Sequence, residues 1–206
     1  MNKMSKAHWE NVYETKTPQE VSWTQSVPET SLAMIKAAGD RAKDGIIDIG
    51  GGDSRLVDFL LDDGFEDITV LDISEAAIRR AQNRLGERAA KVTWIVTDIL
   101  DFVPARQYGI WHDRATFHFL TSDEQVKHYA ATAAKAVVPE GKMIIATFAK
   151  DGPLKCSGLS ITQYSPEEMA EVFSNDFVQT EHQFENHTTP FETQQHFLFA
   201  GFERKK

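Results

Sequence analysis

The sequence predicts an α/β fold, a three-layer, doubly wound sheet of seven strands that is mostly parallel with the last strand antiparallel. Three observations predict it. Short apolar, β-prone runs recur between residues 45 and 148, each followed by a helical pattern or a loop. Two of them end at or just before an acid, Asp72 and Asp98, and a third runs through Asp48 into three glycines. The last two runs, near 177–185 and 195–203, have no helix between them. Their connection of about ten residues, Asn186 to Gln194, suits a hairpin far better than a parallel crossover.

The elements follow in order. Residues 1–25 form an N-terminal segment carrying Trp9, Tyr13 and Trp23, ahead of a main domain over 26–206. Pro28 opens a helix to about Ala38, with Gly39 beyond its end. Strand one covers about 45–49 and its helix 54–63; strand two covers 67–72 and its helix 74–85. Strand three is 92–97, and Tyr108 to His112 is a short fourth strand. Thr121-Ser122-Asp123-Glu124 reads as a capping box that opens a helix to about Val138. Gly141 leads into strand five, Lys142 to Phe148. Ser165-Pro166-Glu167-Glu168 is a second capping box, before the two closing strands.

Composition narrows the function classes. The 206 residues suffice for one full core, and 41% apolar with 26% charged content is ordinary for a globular chain. The formal net charge of −9 argues against nucleic acid as the main partner, because phosphate binding wants a basic face. Arg79, Arg80 and Arg84 share one helix but read as a solvated face. The single cysteine, Cys156, excludes an internal disulfide and, with no apolar leader or membrane-length run, leads to the expectation of a cytoplasmic protein.

The stretch Gly45 to Arg55, GIIDIGGGDSR, carries the chemistry. Glycines after a strand let the chain turn sharply and let a ligand approach without meeting a Cβ, as in the nucleotide-binding turn of an α/β sheet. A dinucleotide fingerprint would need glycine at 50, 52 and 55, and position 55 is Arg55. The spacing present is Asp48-x-Gly50-x-Gly52-x-Ser54. Asp72 and Asp98 then fall at successive strand ends, where ligands of such sheets sit. Two acids there suit adenosine: one for the ribose hydroxyls, the other for the exocyclic amine of adenine. Each acid taken alone could simply cap or turn the chain.

With these motifs the whole chain resembles the small class I S-adenosylmethionine (SAM) methyltransferases. The resemblance implies SAM as cofactor, with Asp48, Gly50 and Gly52 on the methionine part, Asp72 on the ribose and Asp98 with Ile99 on the adenine. Trp23, Ile73 and His112 complete the candidate cofactor-binding set. His8-Trp9…Tyr13 and Val21-Ser22-Trp23 look like a cofactor-covering segment, against the simpler reading that these aromatics are core. Asp113-Arg114-Ala115-Thr116-Phe117-His118 resembles a variant of the Asp-Lys-Gly-Thr-x-Asp motif of lysine methyltransferases acting on elongation factors and citrate synthase. Arg114, Ala115 and His118 depart from it, and the missing acid at His118 tells against a lysine substrate.

Topology brings three loops to one sheet edge, with His112, Asp113 and His118 on the first, Cys156 on the second, and His187 and His196 near the third. His118 or His187 is the candidate general base, with Asp113 orienting the site; loop capping is the plainer role for any one histidine. No closely spaced pair suggests a metal. The expected activity is methyl transfer to a small molecule or a protein side chain, with no nucleic-acid or membrane partner. The alternatives are a SAM-binding regulatory protein without catalysis and an NAD-linked oxidoreductase.

Overall fold

A computed structural model describes residues 3–206. Apolar runs that the sequence sets between helices become the seven strands of one sheet: β1 (Ile46–Ile49), β2 (Ile68–Asp72), β3 (Val92–Val96), β4 (Tyr108–Arg114), β5 (Val137–Phe148), β6 (Phe177–Thr188) and β7 (Gln194–Arg204). Their order across the sheet is β3-β2-β1-β4-β5-β7-β6. The pairs from β3 through to β5 are parallel, whereas β7 pairs antiparallel with both β5 and β6. Six strands therefore share one direction and β7 alone opposes them, as the sequence predicts.

Six helices flank or precede the sheet: α1 (Lys3–Thr15), α2 (Glu29–Ala37), α3 (Leu56–Asp62), α4 (Glu75–Leu85), α5 (Asp123–Ala136) and α6 (Pro166–Phe173). The capping box expected at Ser165 forms with Glu168, whereas the one expected over Thr121 to Glu124 forms one residue later, between Ser122 and Gln125. Alternate strand residues enter opposite faces. Ile46, Val70, Ile110 and Phe199 pack with α2 and α3 on one side. Ile47, Leu71, Trp111 and Leu198 pack with residues of α5 and α6 on the other. The strands of the sheet centre are buried on both faces, which is why β1 and β2 are mostly apolar rather than alternating, with Asp48, Thr69 and Asp72 as their buried polar residues.

Three boundaries differ most from the sequence reading. The fifth strand begins at Val137, directly after α5 ends at Ala136, rather than at Lys142. The fourth strand extends past His112 to Arg114, because neighbouring β1 and β5 pair with residues too polar to look like strand. The final hairpin is tighter, since β6 runs to Thr188 and β7 starts at Gln194. Thr189 closes the remaining turn, its Oγ1 accepting from the Phe191 and Thr193 amides at 3.2 and 3.3 Å.

Candidate active site

The turn after β1 is shaped by what crowds it. Gly50 has φ +68°, and a Cβ there would overlap the Thr116 hydroxyl. A Cβ on Gly52 would come within 2.5 Å of Asp72 Oδ2 and 2.6 Å of Ala77 Cβ. The Gly50 amide donates to Leu71 O at 2.7 Å, tying the turn to β2. The Gly52 amide and the Ser74 amide donate to the two oxygens of Asp72 at 3.0 and 2.8 Å. Asp72 is 4% exposed, and burial pushes its carboxyl up to about 7 against the pull of those two amides, with Asp48 and Glu10 adding repulsion.

Asp48 and His112 face each other across the β1–β4 pair. Asp48 Oδ1 lies 2.7 Å from His112 Nδ1, and His112 Nε2 lies 2.9 Å from the Ser31 hydroxyl of α2. With Nδ1–H donating to the carboxylate, Nε2 accepts from Ser31. The other Asp48 oxygen, Oδ2, is buried with no hydrogen-bond partner. Asp98 follows β3, where its side chain accepts from the Leu100 amide at 3.0 Å, and Ile99 beside it is buried.

Two cavities meet over this turn. One is walled by Trp9, Ile73, Asp98, Ile99 and Cys156, with Asp72 at its base. The other, about 760 Å³, is walled by Asp48, His112 and the hairpin residues Glu185 to Pro190. Tyr13, Trp23, Gly50 and Arg114 line both. The first cavity fits an adenosine: a partly buried carboxylate at one end, a deeply buried one at the other, and an apolar wall between. The unpartnered Asp48 Oδ2 at the glycine turn fits the ammonium of the methionine part, so the residues present fit SAM as a whole.

Trp9, Tyr13 and Trp23 of the N-terminal segment line the first cavity. Trp9 stacks edge-on against Trp23 and Phe119, with centroids 5.6 and 5.1 Å apart. Glu10 anchors α1, its carboxylate accepting from the Ser74 hydroxyl at 2.8 Å and the Ala76 amide at 3.0 Å, at the start of α4.

The three candidate acceptor residues occupy different surroundings. Asp113 is fully buried and accepts from the Tyr129 hydroxyl at 2.6 Å and from the Thr116 and Phe117 amides at 2.9 and 3.2 Å. It holds the loop after β4 in shape, including Ala115 at φ +69°. Burial pushes its carboxyl up to about 6, with those hydrogen bonds and nearby His112 opposing. His118 is fully buried against Phe148 and Phe119, lines neither cavity, and has no partner for either ring nitrogen. Desolvation, helped by the Arg114 charge, pulls its imidazole down to about 3. His187 lines the second cavity, donating from Nε2 to Ser22 O at 2.7 Å. Burial and then the Arg114 charge lower its pKa, so its imidazole is neutral at pH 7.

Glu10, Ser31 and Arg114 are site residues that sequence reasoning did not select. Glu10 meets α4 across 64 positions and Ser31 meets His112 across 81, separations at which no local pattern operates. Arg114 was legible only as a departure from a motif. Among the described residues, no group of three His, Cys, Asp or Glu side chains is placed to hold a metal ion, and no helix is long and apolar enough to cross a membrane.

Residues 46–141 match the methyltransferase domain family. The bovine (Bos taurus) eEF1A lysine and N-terminal methyltransferase is 25% identical over 121 residues, 58% of this chain and 17% of that protein; the chain thus spans a small part of that relative's length. Among solved structures, a protein from work on the conversion of a disulfide bond into a thioacetal group during echinomycin biosynthesis superposes with a TM-score of 0.80 at 18% identity, covering 98% of this chain and 92% of that one. The glycopeptide N-methyltransferase MtfA, complexed with S-adenosylhomocysteine, superposes with a TM-score of 0.68 at 12% identity, covering 94% and 95%. The family match takes in the glycine turn, Asp72 and Asp98, and the likeness to the two solved structures runs over nearly the whole chain and is one of fold.

Proposed function

We propose that the protein transfers a methyl group from SAM to a nucleophile on a small molecule or a protein side chain, in the cavity between the glycine turn and the β6–β7 hairpin. The observation that carries this reading is the junction of the two cavities at Gly50, Trp23 and Arg114, where a cleft lined by Asp72, Asp98 and Ile99 adjoins a larger one lined by Asp48, His112 and His187. SAM supplies an electrophilic methyl carbon on a sulfonium, so the protein's work is placement and proton removal.

Asp72 takes the ribose hydroxyls, Asp98 with Ile99 takes the adenine, and Asp48 with the glycine turn takes the methionine part. Ile73 and Trp23 form apolar walls, and His112 fixes the orientation of Asp48. Residues 1–25 act as the cover: Trp9 and Tyr13 close over the cleft and exclude water, with Glu10 as the latch. Holding two reactants in line is worth roughly 7–11 kcal/mol of barrier. His187 takes the acceptor's proton at Nδ1, since Nε2 is committed to Ser22 O and the ring is neutral at pH 7. The enclosure of His118 in an apolar shell favours His187 over it, and Asp113 positions the β4 loop.

Thermal-shift titration with SAM, S-adenosylhomocysteine (SAH) and NAD tests the cofactor. Stabilisation by SAM and SAH is expected, and stabilisation by NAD alone overturns the reading. Labelling of cell lysate with methyl-tritiated SAM, split into protein and small-molecule fractions, then locates the acceptor. Binding of SAM with no labelled product in any fraction rejects the catalytic role.

A further inference from the structure

Among the described residues, Arg114 has no carboxylate in ion-pair contact; Glu185 and Asp48 act on its charge only from a distance. It stands at the end of β4, where the two cavities meet. Its guanidinium lies on the Phe197 ring, 4.7 Å from the centroid, and Nη1 donates to Trp23 O at 2.9 Å. Those two contacts fix the plane and the rotation of the group. Its other two nitrogens, Nε and Nη2, are buried and have no hydrogen-bond partner. They form the side edge of the guanidinium, two parallel N–H bonds spaced to grip the two oxygens of one carboxylate.

The acids nearby do not fill that edge. Glu185 is bonded by Gln25 Nε2 at 2.9 Å, and no carboxylate of the described residues lies within ion-pair distance of Arg114. A purely structural arginine would not leave its best donor pair both desolvated and unpaired, because that costs free energy without return. Asp48, which lines the same cavity, leaves Oδ2 buried and unpartnered as well. The cavity thus presents unpaired groups of both signs, a donor pair and an acceptor.

We propose that the Nε–Nη2 edge of Arg114 is a bidentate carboxylate site at the junction of the cofactor and acceptor cavities. Two carboxylates can occupy it: that of the methionine part of the cofactor, with its ammonium toward Asp48 Oδ2, or an acid group on the methyl acceptor. The proposal rests on the methyltransferase reading above.

Calorimetry on the full chain and on Arg114→Gln and Arg114→Lys separates the sources. The ligands are SAH and 5′-methylthioadenosine, which keeps the adenosine and sulfur but lacks the carboxylate. Circular dichroism and unchanged 5′-methylthioadenosine affinity establish that the variants fold. A loss of about 10- to 100-fold in SAH affinity with 5′-methylthioadenosine spared assigns the edge to the cofactor. Unchanged SAH affinity, with benzoate or inorganic phosphate raising the Tm of SAH-saturated wild type but of neither variant, assigns it to an acidic acceptor. Lys keeps the charge and lacks the fork, so it is expected to behave like Gln. If neither SAH affinity nor the anion response differs between wild type and variants, the carboxylate site is wrong. If wild type binds neither adenosine ligand, the methyltransferase reading fails instead, and the benzoate and phosphate arms still report on Arg114.

Discussion

The raised carboxyl of Asp72 makes cofactor binding depend on pH in a calculable way. In the free protein the group sits at about 7 because burial penalises its charge. Ribose hydroxyls donating to it stabilise the carboxylate, so binding draws it to the ionised form. With a free value near 7, about one-tenth of the molecules are ionised at pH 6 and about nine-tenths at pH 8. SAH affinity is therefore expected to fall about tenfold from pH 8 to pH 6, with about 0.9 proton released per SAH bound at pH 6 and about 0.1 at pH 8. Calorimetry in buffers of different ionisation enthalpy measures both quantities. Asp72→Asn removes the dependence and weakens binding at every pH. The stability of the free protein moves the other way. The folded state holds this proton more tightly than the unfolded chain, so the stability attributable to Asp72 declines as pH rises from about 4 through about 7, by at most about 4 kcal/mol. A wild-type SAH affinity that stays flat from pH 5.5 to 8 with no proton release would refute the assignment of Asp72 to the ribose.

Four further outcomes are expected. Gly52→Ala drives a methyl group against Asp72 and Ala77, costing about 1–3 kcal/mol by thermal or urea unfolding and abolishing measurable SAH binding. Glu10→Ala removes two bonds that hold α1 to α4; hydrogen exchange in residues 6–15 should rise and SAH should dissociate several-fold faster, while the melting transition of the core barely moves. His118→Leu removes two unpartnered ring nitrogens; because the folded imidazole is held near 3, wild-type stability falls as pH drops below about 6.5, by up to about 1.4 kcal/mol per pH unit, and the variant should lose that slope while keeping turnover. Ala115→Gly relieves a left-handed backbone at φ +69° and should stabilise the fold by about 1 kcal/mol, read as a raised Tm and a raised urea midpoint.

The sheet and its ligand edge were readable because each depends on local chemistry. An apolar run, a terminal acid and a helix-capping residue stand next to one another in the chain, so Asp48, Asp72 and Asp98 could be placed at neighbouring strand ends without knowing their contacts. The acceptor side was less legible for the opposite reason. Asp113 and Arg114 are strand residues only because β1 and β5 pair with this stretch, and no strand-like pattern marks so polar a pair. Histidine spacing said nothing of which ring would be enclosed and which would line a cavity; that was decided by Phe148 and Phe119 closing over His118. The exposed face of β6 likewise hid its last residues, since His182 to Thr188 are mostly solvent-facing and show no buried alternation.

The placement of β7 has a consequence for how the protein is made. Residues 194–204 are the last of the sheet to be synthesised, yet they lie between β5 and β6. Until they arrive, β5 offers the open edge of a strand whose residues 143–148 are all destined for burial. Such an edge recruits any strand that passes. The window for mispairing on the ribosome therefore stays open until the final segment has emerged, and substitutions that weaken β7 should surface as insoluble protein before they surface as lost activity.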